Sequence, residues 1–565
     1  MRLAAEAEPD NAAFRIMLMR ALVDAGRPDE VLAMPEPPPV RSAATLEEWR
    51  ARGEAADAAK DAAAGNAAWS TVTRAAPRDW RAWANLAAAL LGGGRSAEAI
   101  EAFESAVRLN PTEASLRWSL GAALLESGRP EEALAMVADF EAQAGRTAES
   151  ALARGRCALA ALRIEEAEQA YRDAVQLDPQ NVDAVRELGL LLERTNKLGE
   201  VSELLAAATA SGIAAEKLSQ LYVTLAFRDG RTEDAYDLLT RGDHDEDPLG
   251  WNRLMAKVAD RLGKTGEAFA AAEAANRMTP QFDSWRNRGV AYRKEMRDLG
   301  RSLTQATRLP RLEPPDRRMP AFLVGFPRSG TTLLDTFLMG HPDTKVLEEE
   351  SLLGAAEREI GSAAKLVRAS PSDLERARSA YLAELDRHVA TGFTGLVIDK
   401  LPLNLLGAPF IDAMFPGARM IFAQRHPCDS VLSAFMQSFV MNDAMASFLT
   451  VEDAADLYDA VMSGWFAIRE RFDLNVHTVR YERLVEDPEA ELRPLVEFLG
   501  LEWDNRMLAH TRTAKERGTI ITPSYDQVTE PLSTRSVGRW KRYRAQLEPV
   551  LPVLLPWAER LGYRD

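Results

Sequence analysis

The segment AFLVGFPRSGTTLL, residues 321–334, has the residue types and spacing of a loop that binds phosphate. Its glycines would let the main chain approach an anion, and the N–H groups at the start of the following helix would favour negative charge. Gly325, Gly330 and Thr332 match the pattern GxxxxGK[ST], but Thr331 replaces the lysine that would reach the β- and γ-phosphates. The missing lysine argues against triphosphate hydrolysis, whereas a nucleotide with only one phosphate at its 5′ end would not need that lysine.

A second pair of side chains could hold a separate phosphate. Arg425 ends an apolar run, and Ser433 follows eight residues later on a predicted helix. Such a pair alone is more often a surface feature, but beside a phosphate loop that already contains Arg328 it favours a second anion site. Asp399 is the candidate magnesium ligand after a later strand, but its neighbour Lys400 weakens that choice, so no metal is expected.

Short apolar strands that alternate with helices are predicted to position these residues. The strands are AFLVGF (321–326), GLVIDK (395–400), ARMIFAQR (418–425) and NVHTVRYE (475–482). The helical stretches between them indicate βαβ units and a parallel sheet. Ligands of such a sheet bind at the carboxyl ends of the strands, which is where the candidate residues fall.

The first half of the chain has a different pattern, an internal repeat of 34 residues. Small residues recur with this period, as at Ala99, Ala133 and Ala167. The clearest unit has signature residues at Trp83, Leu86, Leu90, Ala99, Phe103, Ala106 and Pro111. This pattern resembles the tetratricopeptide repeat (TPR) family over about residues 10–300. The resemblance implies an all-α solenoid whose concave face binds a peptide or a partner protein, or whose helices only shield and position the rest of the chain.

The predicted domains are a TPR region at residues 1–307, a linker at 308–320 and an α/β domain at 321–565.

The formal net charge of −16 disfavours DNA or RNA as a main partner. Two cysteines, 271 positions apart, indicate no disulfide framework and fit a reducing compartment. The chain has no secretory signal at its start and no apolar run of the ~20 residues that span a bilayer, so a cytoplasmic protein is expected.

Four motifs in order resemble the sulfotransferase family. They are FPRSGTTLL, RHPCDSVLSAFMQSF, VRYERLVEDPEAELRPLVEFLGLEW and TPSYDQVTEPLSTRSVGRWKRY, within about residues 319–550. The likeness is to bacterial sulfotransferases that contain TPR repeats and to protein-tyrosine sulfotransferases. It implies an α/β, P-loop-like parallel-sheet domain and the donor 3′-phosphoadenosine-5′-phosphosulfate (PAPS). The two phosphate positions of PAPS match the two anion sites inferred from the residues.

The resemblance also assigns residues to the donor. The residues expected at the 5′-phosphosulfate are Arg328, Ser329, Gly330, Thr331 and Thr332. Arg425 and Ser433 are expected to hold the 3′-phosphate. Tyr481 matches a tyrosine that contacts the donor, and Arg539 matches a basic position near the nucleotide.

Three further residues match catalytic positions of the family. Glu349 falls on the general base, although Glu348 and Glu350 lie within one residue of it and the acidic run could be only a solvated helix start. Lys400 matches a lysine that neutralises charge on the bridging oxygen, or it forms an ion pair with Asp399 or another nearby acid. Ser524 matches a serine of the family that assists at the same reaction centre as the lysine.

The resulting interpretation is in-line transfer of a sulfuryl group to an acceptor hydroxyl, without a metal or a covalent intermediate. The repeats favour a protein or peptide acceptor, with tyrosine as one candidate, while a carbohydrate or a small metabolite stays open. One alternative is a P-loop-type kinase for a nucleotide or small molecule, which the loop shape supports and Thr331 opposes. The other is a TPR scaffold with an inactive transferase domain, which the joint presence of the site residues opposes.

Overall fold

The computed structural model describes residues 11–242, 247–305, 310–361, 365, 369–516 and 531–564. Two compact units divide the chain. One comprises Met1–Glu193 and Gly199–Lys217, and the other comprises Arg194–Leu198 and Leu218–Asp565.

Helices that pair with their neighbours along the chain form the first unit. They are α1 (Ala12–Asp24), α2 (Pro28–Leu32), α3 (Ala43–Ala59), α4 (Ala62–Ala75), α5 (Trp80–Gly92), α6 (Ser96–Leu109), α7 (Ala114–Glu126), α8 (Pro130–Ala144), α9 (Ala148–Ala160), α10 (Ile164–Leu177), α11 (Val182–Arg194) and α12 (Leu198–Ala210).

The 34-residue spacing of small residues has a direct structural cause. A Cβ atom on Gly155 of α9 would lie 2.4 Å from the ring of Tyr171 on α10, and one on Gly53 of α3 would lie 2.5 Å from the ring of Trp69 on α4. Gly53 and Gly155 are three repeat lengths apart, as are the two aromatic residues. Each glycine therefore leaves room for a large side chain of the next helix, and the predicted helical repeat is confirmed.

The second unit contains five parallel strands in the order β2-β3-β1-β4-β5. The strands are β1 (Ala321–Gly325), β2 (Thr344–Glu348), β3 (Leu396–Lys400), β4 (Met420–Gln424) and β5 (Val476–Arg480). The parallel α/β sheet predicted from the sequence is confirmed. Strand β2 was not predicted, because its sequence TKVLE is mostly polar and lies at the edge of the sheet.

Helices α13 to α17 precede the sheet: α13 (Ser219–Arg228), α14 (Thr232–Arg241), α15 (Pro248–Arg261), α16 (Thr265–Arg277) and α17 (Phe282–Gln305). Those after β1 are α18 (Thr331–Met339), α19 (Leu352–Ile360), α20 (Pro371–His388), α21 (Ala408–Met414), α22 (Pro427–Phe435), α23 (Val451–Arg471), α24 (Tyr481–Glu486), α25 (Pro488–Phe498), α26 (His510–Glu516), α27 (Arg544–Leu547) and α28 (Leu551–Arg560). No helix among the described residues is both long and apolar enough to cross a membrane.

The two faces of the sheet are buried in separate apolar clusters. Phe322 of β1 points into one cluster and its neighbour Leu323 into the other, as the alternation along a strand requires. The first cluster also contains Val223 of α13 and Val258 of α15, so the last repeat helices share a core with the sheet. The predicted boundary at residues 308–320 stays a prediction, while the helices of residues 218–305 pack in the same unit as the sheet.

Helix α17 approaches α23 closely at two glycines. A Cβ atom on Gly300 would lie 3.1 Å from the Cα atom of Gly464. Between the same two helices, the buried Arg293 donates to Asp453 at 2.7 Å and to Asp456 at 2.8 Å. Close packing and ion pairs therefore hold the last repeat helix against the α/β domain.

Candidate active site

The predicted phosphate loop joins β1 to the N-terminus of α18. Arg328 and Gly330 both have positive φ angles, of 68° and 95°. A Cβ atom at position 330 would also lie 2.4 Å from the ring of Tyr481. Glycine is therefore required there both by the backbone conformation and by the tyrosine that packs on the loop.

The start of α18 presents donors to an anion. Gly330 caps the helix without a side-chain hydrogen bond, and the first N–H groups of a helix have no acceptor within it. Ser329, Thr331 and Thr332 are almost fully buried, and the Ser329 hydroxyl has no hydrogen-bond partner among the described residues. A buried hydroxyl without a partner is unfavourable, so these groups fit a bound phosphate or sulfate.

The predicted residues of the second anion site lie against this loop. Arg328 Nε donates to Ser433 Oγ at 3.1 Å, and Arg425 Nη1 donates to the Arg328 carbonyl oxygen at 2.9 Å. The Arg425 guanidinium stacks over the Tyr481 ring at 4.5 Å. Its buried Nε has no hydrogen-bond partner among the described residues. Arg328, Arg425, Ser433 and Tyr481 thus form one cluster, with a buried donor group left for an anion.

Arg425 also fixes the chain near the C-terminus. Its Nη2 donates to the Ser536 carbonyl oxygen at 2.7 Å. Four residues later in the sequence, Asp429 accepts from the main-chain N–H groups of Gly538 and Trp540, each at 2.8 Å. Burial raises the pKa of Asp429, while Arg425 and the two N–H groups act in the opposite direction. Asp429 was not predicted as a site residue, although it belongs to the RHPCDS motif.

Arg539 lies between the two N–H groups that Asp429 binds. Its Nε donates to Asp260 of α15 at 3.0 Å, and its Nη2 contacts the sulfur of Met436 at 2.9 Å. The predicted contact between Arg539 and a nucleotide therefore stays a prediction. Ser524, the third predicted catalytic residue, lies outside the described residues.

Lys400 lies at the end of β3 and is fully buried among three carboxylates. Its Nζ is 2.8 Å from Glu349 Oε1, 3.3 Å from Glu348 Oε1 and 3.6 Å from Asp335 Oδ2. Asp335 is fully buried, whereas the Glu349 side chain is 47% exposed. Lys400 therefore connects the buried side of α18 to a carboxylate that an acceptor could reach.

The backbone also places Glu349 at this position. Its φ angle is positive, at 57°, and its N–H donates to the Lys400 carbonyl oxygen at 2.8 Å. Glu350, the alternative one residue later, lies 3.6 Å from His388. Of the three glutamates, Glu348 and Glu349 reach Lys400, and Glu349 is the more exposed of these two.

Asp399 does not pair with Lys400, which was one sequence-based alternative for this lysine. Neighbouring residues of a strand point to opposite faces, and Asp399 accepts a hydrogen bond of 2.8 Å from the Tyr381 hydroxyl. Burial raises the pKa of Asp399 to about 7. The other alternative was an ion pair between Lys400 and a different nearby acid. Lys400 indeed lies close to the carboxylates of Asp335, Glu348 and Glu349.

Asp335 was missed by sequence reasoning. It lies one turn after the paired threonines, inside the otherwise apolar stretch TLLDTFLM. A carboxylate in such a stretch needs a buried partner, and that requirement is the signal that could have identified it.

Two kinds of known protein match different parts of the chain. Residues 320–505 match the sulfotransferase family, and residues 50–114, 90–157 and 152–215 match tetratricopeptide repeats. A solved tetratricopeptide repeat protein from Parabacteroides merdae is 16% identical, with a TM-score of 0.37, over 42% of this chain and 94% of its own.

Each of three curated relatives matches less than half of the chain. An uncharacterized protein of Aquifex aeolicus is 28% identical over 42% of this chain, and the alignment spans only 32% of that relative. Protein-tyrosine sulfotransferase 1 of Danio rerio is 27% identical over 43% of this chain and 71% of its own length. The human protein of the same name is 26% identical over 43% of this chain and 69% of its own. The chain therefore carries tetratricopeptide repeats followed by a sulfotransferase-family domain that is distantly similar to protein-tyrosine sulfotransferases.

Proposed function

We propose that this chain is a sulfotransferase that moves a sulfuryl group from PAPS to an acceptor hydroxyl. One observation carries the proposal. A fully buried lysine, Lys400, stands beside a phosphate loop that lacks its own lysine, and it bonds to the half-exposed Glu349. This arrangement provides an anion site, a cation and a general base within one connected group of side chains.

The proposed donor is held at the start of α18. The N–H groups of Thr331 and Thr332, together with Ser329 Oγ, would hold the 5′-phosphosulfate. Arg425 and Ser433 would hold the 3′-phosphate. The buried Arg425 Nε, which has no hydrogen-bond partner among the described residues, supports this role. The Arg425 guanidinium stacks on the Tyr481 ring, and this contact would orient the guanidinium toward the nucleotide.

Transfer then proceeds in a single displacement. The acceptor oxygen forms a bond to sulfur while the bond from sulfur to the bridging phosphate oxygen breaks. The acceptor proton passes to Glu349, and the electron pair of the broken bond stays on 3′-phosphoadenosine-5′-phosphate (PAP). Lys400 would stabilise the negative charge that develops on the bridging oxygen. Ser524 is proposed to assist at the same oxygen on the strength of the family resemblance alone.

The proposed acceptor is a hydroxyl on a protein or peptide, with tyrosine as the first candidate. The names of the Danio rerio and human relatives support tyrosine. The helical repeats supply a surface of the kind that binds peptides, and we propose that their concave face recruits the acceptor or a partner protein. A cytoplasmic location belongs to the same proposal.

A transfer assay with radiolabelled PAPS tests this function. The chain and the labelled PAPS are incubated in separate reactions with cell lysate, with tyrosine peptides and with glycans. We expect label in protein or peptide, and labelling that is about 10²–10⁴-fold slower in parallel reactions with Glu349→Gln. Label in glycans or small molecules alone would overturn the proposed acceptor class. Equal transfer by Glu349→Gln would show that Glu349 is not the base, whereas no transfer to any acceptor by the unaltered chain would contradict the activity itself.

A further inference from the structure

A carboxylate of the repeat helices bonds the segment beside the phosphate loop. Asp260, near the end of α15, accepts from Arg539 Nε at 3.0 Å and from the Tyr543 hydroxyl at 2.7 Å. Arg539 is 14% exposed and Asp260 is 23% exposed, while Tyr543 is fully buried. These partners are 279 and 283 residues away in the sequence, so the bonds join two distant parts of the chain.

The segment that contains Arg539 is bound from its other side by the RHPCDS motif. Asp429 accepts from the N–H groups of Gly538 and Trp540, which flank Arg539. The Trp540 ring also stacks on His426, with ring centres 5.1 Å apart. Asp429 therefore holds the main chain around residue 539, and Asp260 holds the side chain.

This doubly held segment supplies an acceptor to the proposed donor site. The Ser536 carbonyl oxygen accepts from Arg425 Nη2 at 2.7 Å, and Arg425 Nη1 donates to the Arg328 carbonyl oxygen at 2.9 Å. The orientation of the Arg425 guanidinium thus depends on where residues 536–540 lie. A shift of that segment would remove one of the two acceptors that fix Arg425.

We propose that Asp260 is a positioning residue for the donor nucleotide, so that the repeat helices contribute to donor affinity. The proposal rests on the proposed function, because it assumes that Arg425 binds the 3′-phosphate. Loss of the Asp260 carboxylate removes the charged partner that Arg539 Nε bonds. Residues 536–540 then lose the bond that holds them through the Arg539 side chain. Arg425 then spends less time in the orientation that binds the nucleotide, and donor affinity falls without any change at the reacting atoms.

Calorimetry with PAP on the full-length chain tests the inference. Asp260→Ala should raise the Kd for PAP by roughly fivefold to tenfold, because a charged hydrogen bond outside the site acts only indirectly. Asp260→Asn, which keeps an oxygen acceptor for Tyr543 but loses the charge facing Arg539, should give most of the same loss. Tyr543→Phe removes only the hydroxyl group and should change the Kd by less than about twofold. The matched control is Glu273→Ala on α16, because the exposed Glu273 pairs with Arg277 of its own helix, and the Kd of this variant should equal that of the unaltered chain.

A double-mutant cycle separates positioning from general destabilisation. Asp260→Ala should add nothing to the effect of Arg539→Ala on the Kd for PAP, because Arg539→Ala already removes the guanidinium that Asp260 bonds. In steady-state assays the KM for PAPS should rise while kcat stays the same. An unchanged Kd in both Asp260 variants, with normal binding by the unaltered chain, would overturn this inference and leave the proposed function standing. If the unaltered chain binds no PAP, the proposed function fails and this inference fails with it. Should Asp260→Ala not fold, Asp260→Asn decides between these outcomes.

Discussion

Replacing Arg293 with alanine should destabilise the C-terminal unit, because this side chain joins α17 to the α/β domain through buried contacts. Its side chain is 4% exposed, with Nη2 2.7 Å from Asp453 and Nε 2.8 Å from Asp456. Its Nη1 donates to Ser447 Oγ at 3.3 Å. The alanine variant would leave the 11%-exposed Asp453 carboxylate with a weaker set of partners.

The expected cost follows from what remains after the substitution. Removing one partner of a buried ion pair costs about 3–5 kcal/mol. Asp453 keeps Arg286 at 2.9 Å, and Asp456 is 44% exposed and keeps Arg297. These surviving pairs reduce the expected loss of unfolding free energy to about 2–3 kcal/mol.

Hydrogen exchange of the α23 amides measures this loss locally, which is needed because two compact units need not unfold together. The control is Arg277→Ala, whose pair with Glu273 is exposed and lies within one helix; it should cost less than about 0.5 kcal/mol. Equal protection of α23 in the two variants would refute the idea that Arg293 holds the last repeat helix against the sheet unit.

Three further predictions concern the site and its surroundings. Glu349→Gln should lower kcat by about 10²–10⁴-fold, measured as label transfer, while the Kd for PAP stays within about twofold; a loss of binding instead would assign Glu349 to the donor site. Gly330→Ala should abolish PAP binding in calorimetry, because a Cβ atom would meet Tyr481 at a φ angle of 95°; tight binding would contradict the loop geometry. Since burial raises the pKa of Asp399 from 3.8 to about 7, its contribution to stability is complete below pH 3.8 and is lost as the pH rises through 7. The Tm of Asp399→Asn should therefore decline less than that of the unaltered chain between pH 5 and about 8, and parallel Tm curves would contradict the buried, protonated carboxyl.

Features that depend on short-range sequence were predictable. The phosphate loop needs only a strand, a glycine-rich turn and a helix start, and all three lie within 321–339. The repeat period was readable because each small residue, such as Gly155, has a steric reason to recur. Strand β2 was missed because an edge strand buries too few of its residues to produce an apolar run.

Features that depend on tertiary contacts were not predictable. The sequence indicated Lys400 and Glu349 only by family resemblance, and it gave no sign that Asp335 completes their cluster. The acids that pair with Lys400 are determined by which side chains the fold brings to the same face of β3. Nearness in the sequence does not decide the pairing, because the adjacent Asp399 bonds to Tyr381 instead. The bond between Asp260 and Arg539 spans 279 residues, so no local pattern could indicate it.

The phosphate loop is proposed to bind a nucleotide with a 5′-phosphosulfate and a separate 3′-phosphate. Calorimetry of the full-length chain with PAP and with ATP distinguishes this donor from a nucleoside triphosphate. The Kd for PAP should be at least about tenfold below that for ATP, and Arg425→Ala should lose PAP binding. Tighter binding of ATP would contradict this donor and favour a kinase. PAP binding that Arg425→Ala leaves unchanged would contradict the assignment of the 3′-phosphate to Arg425.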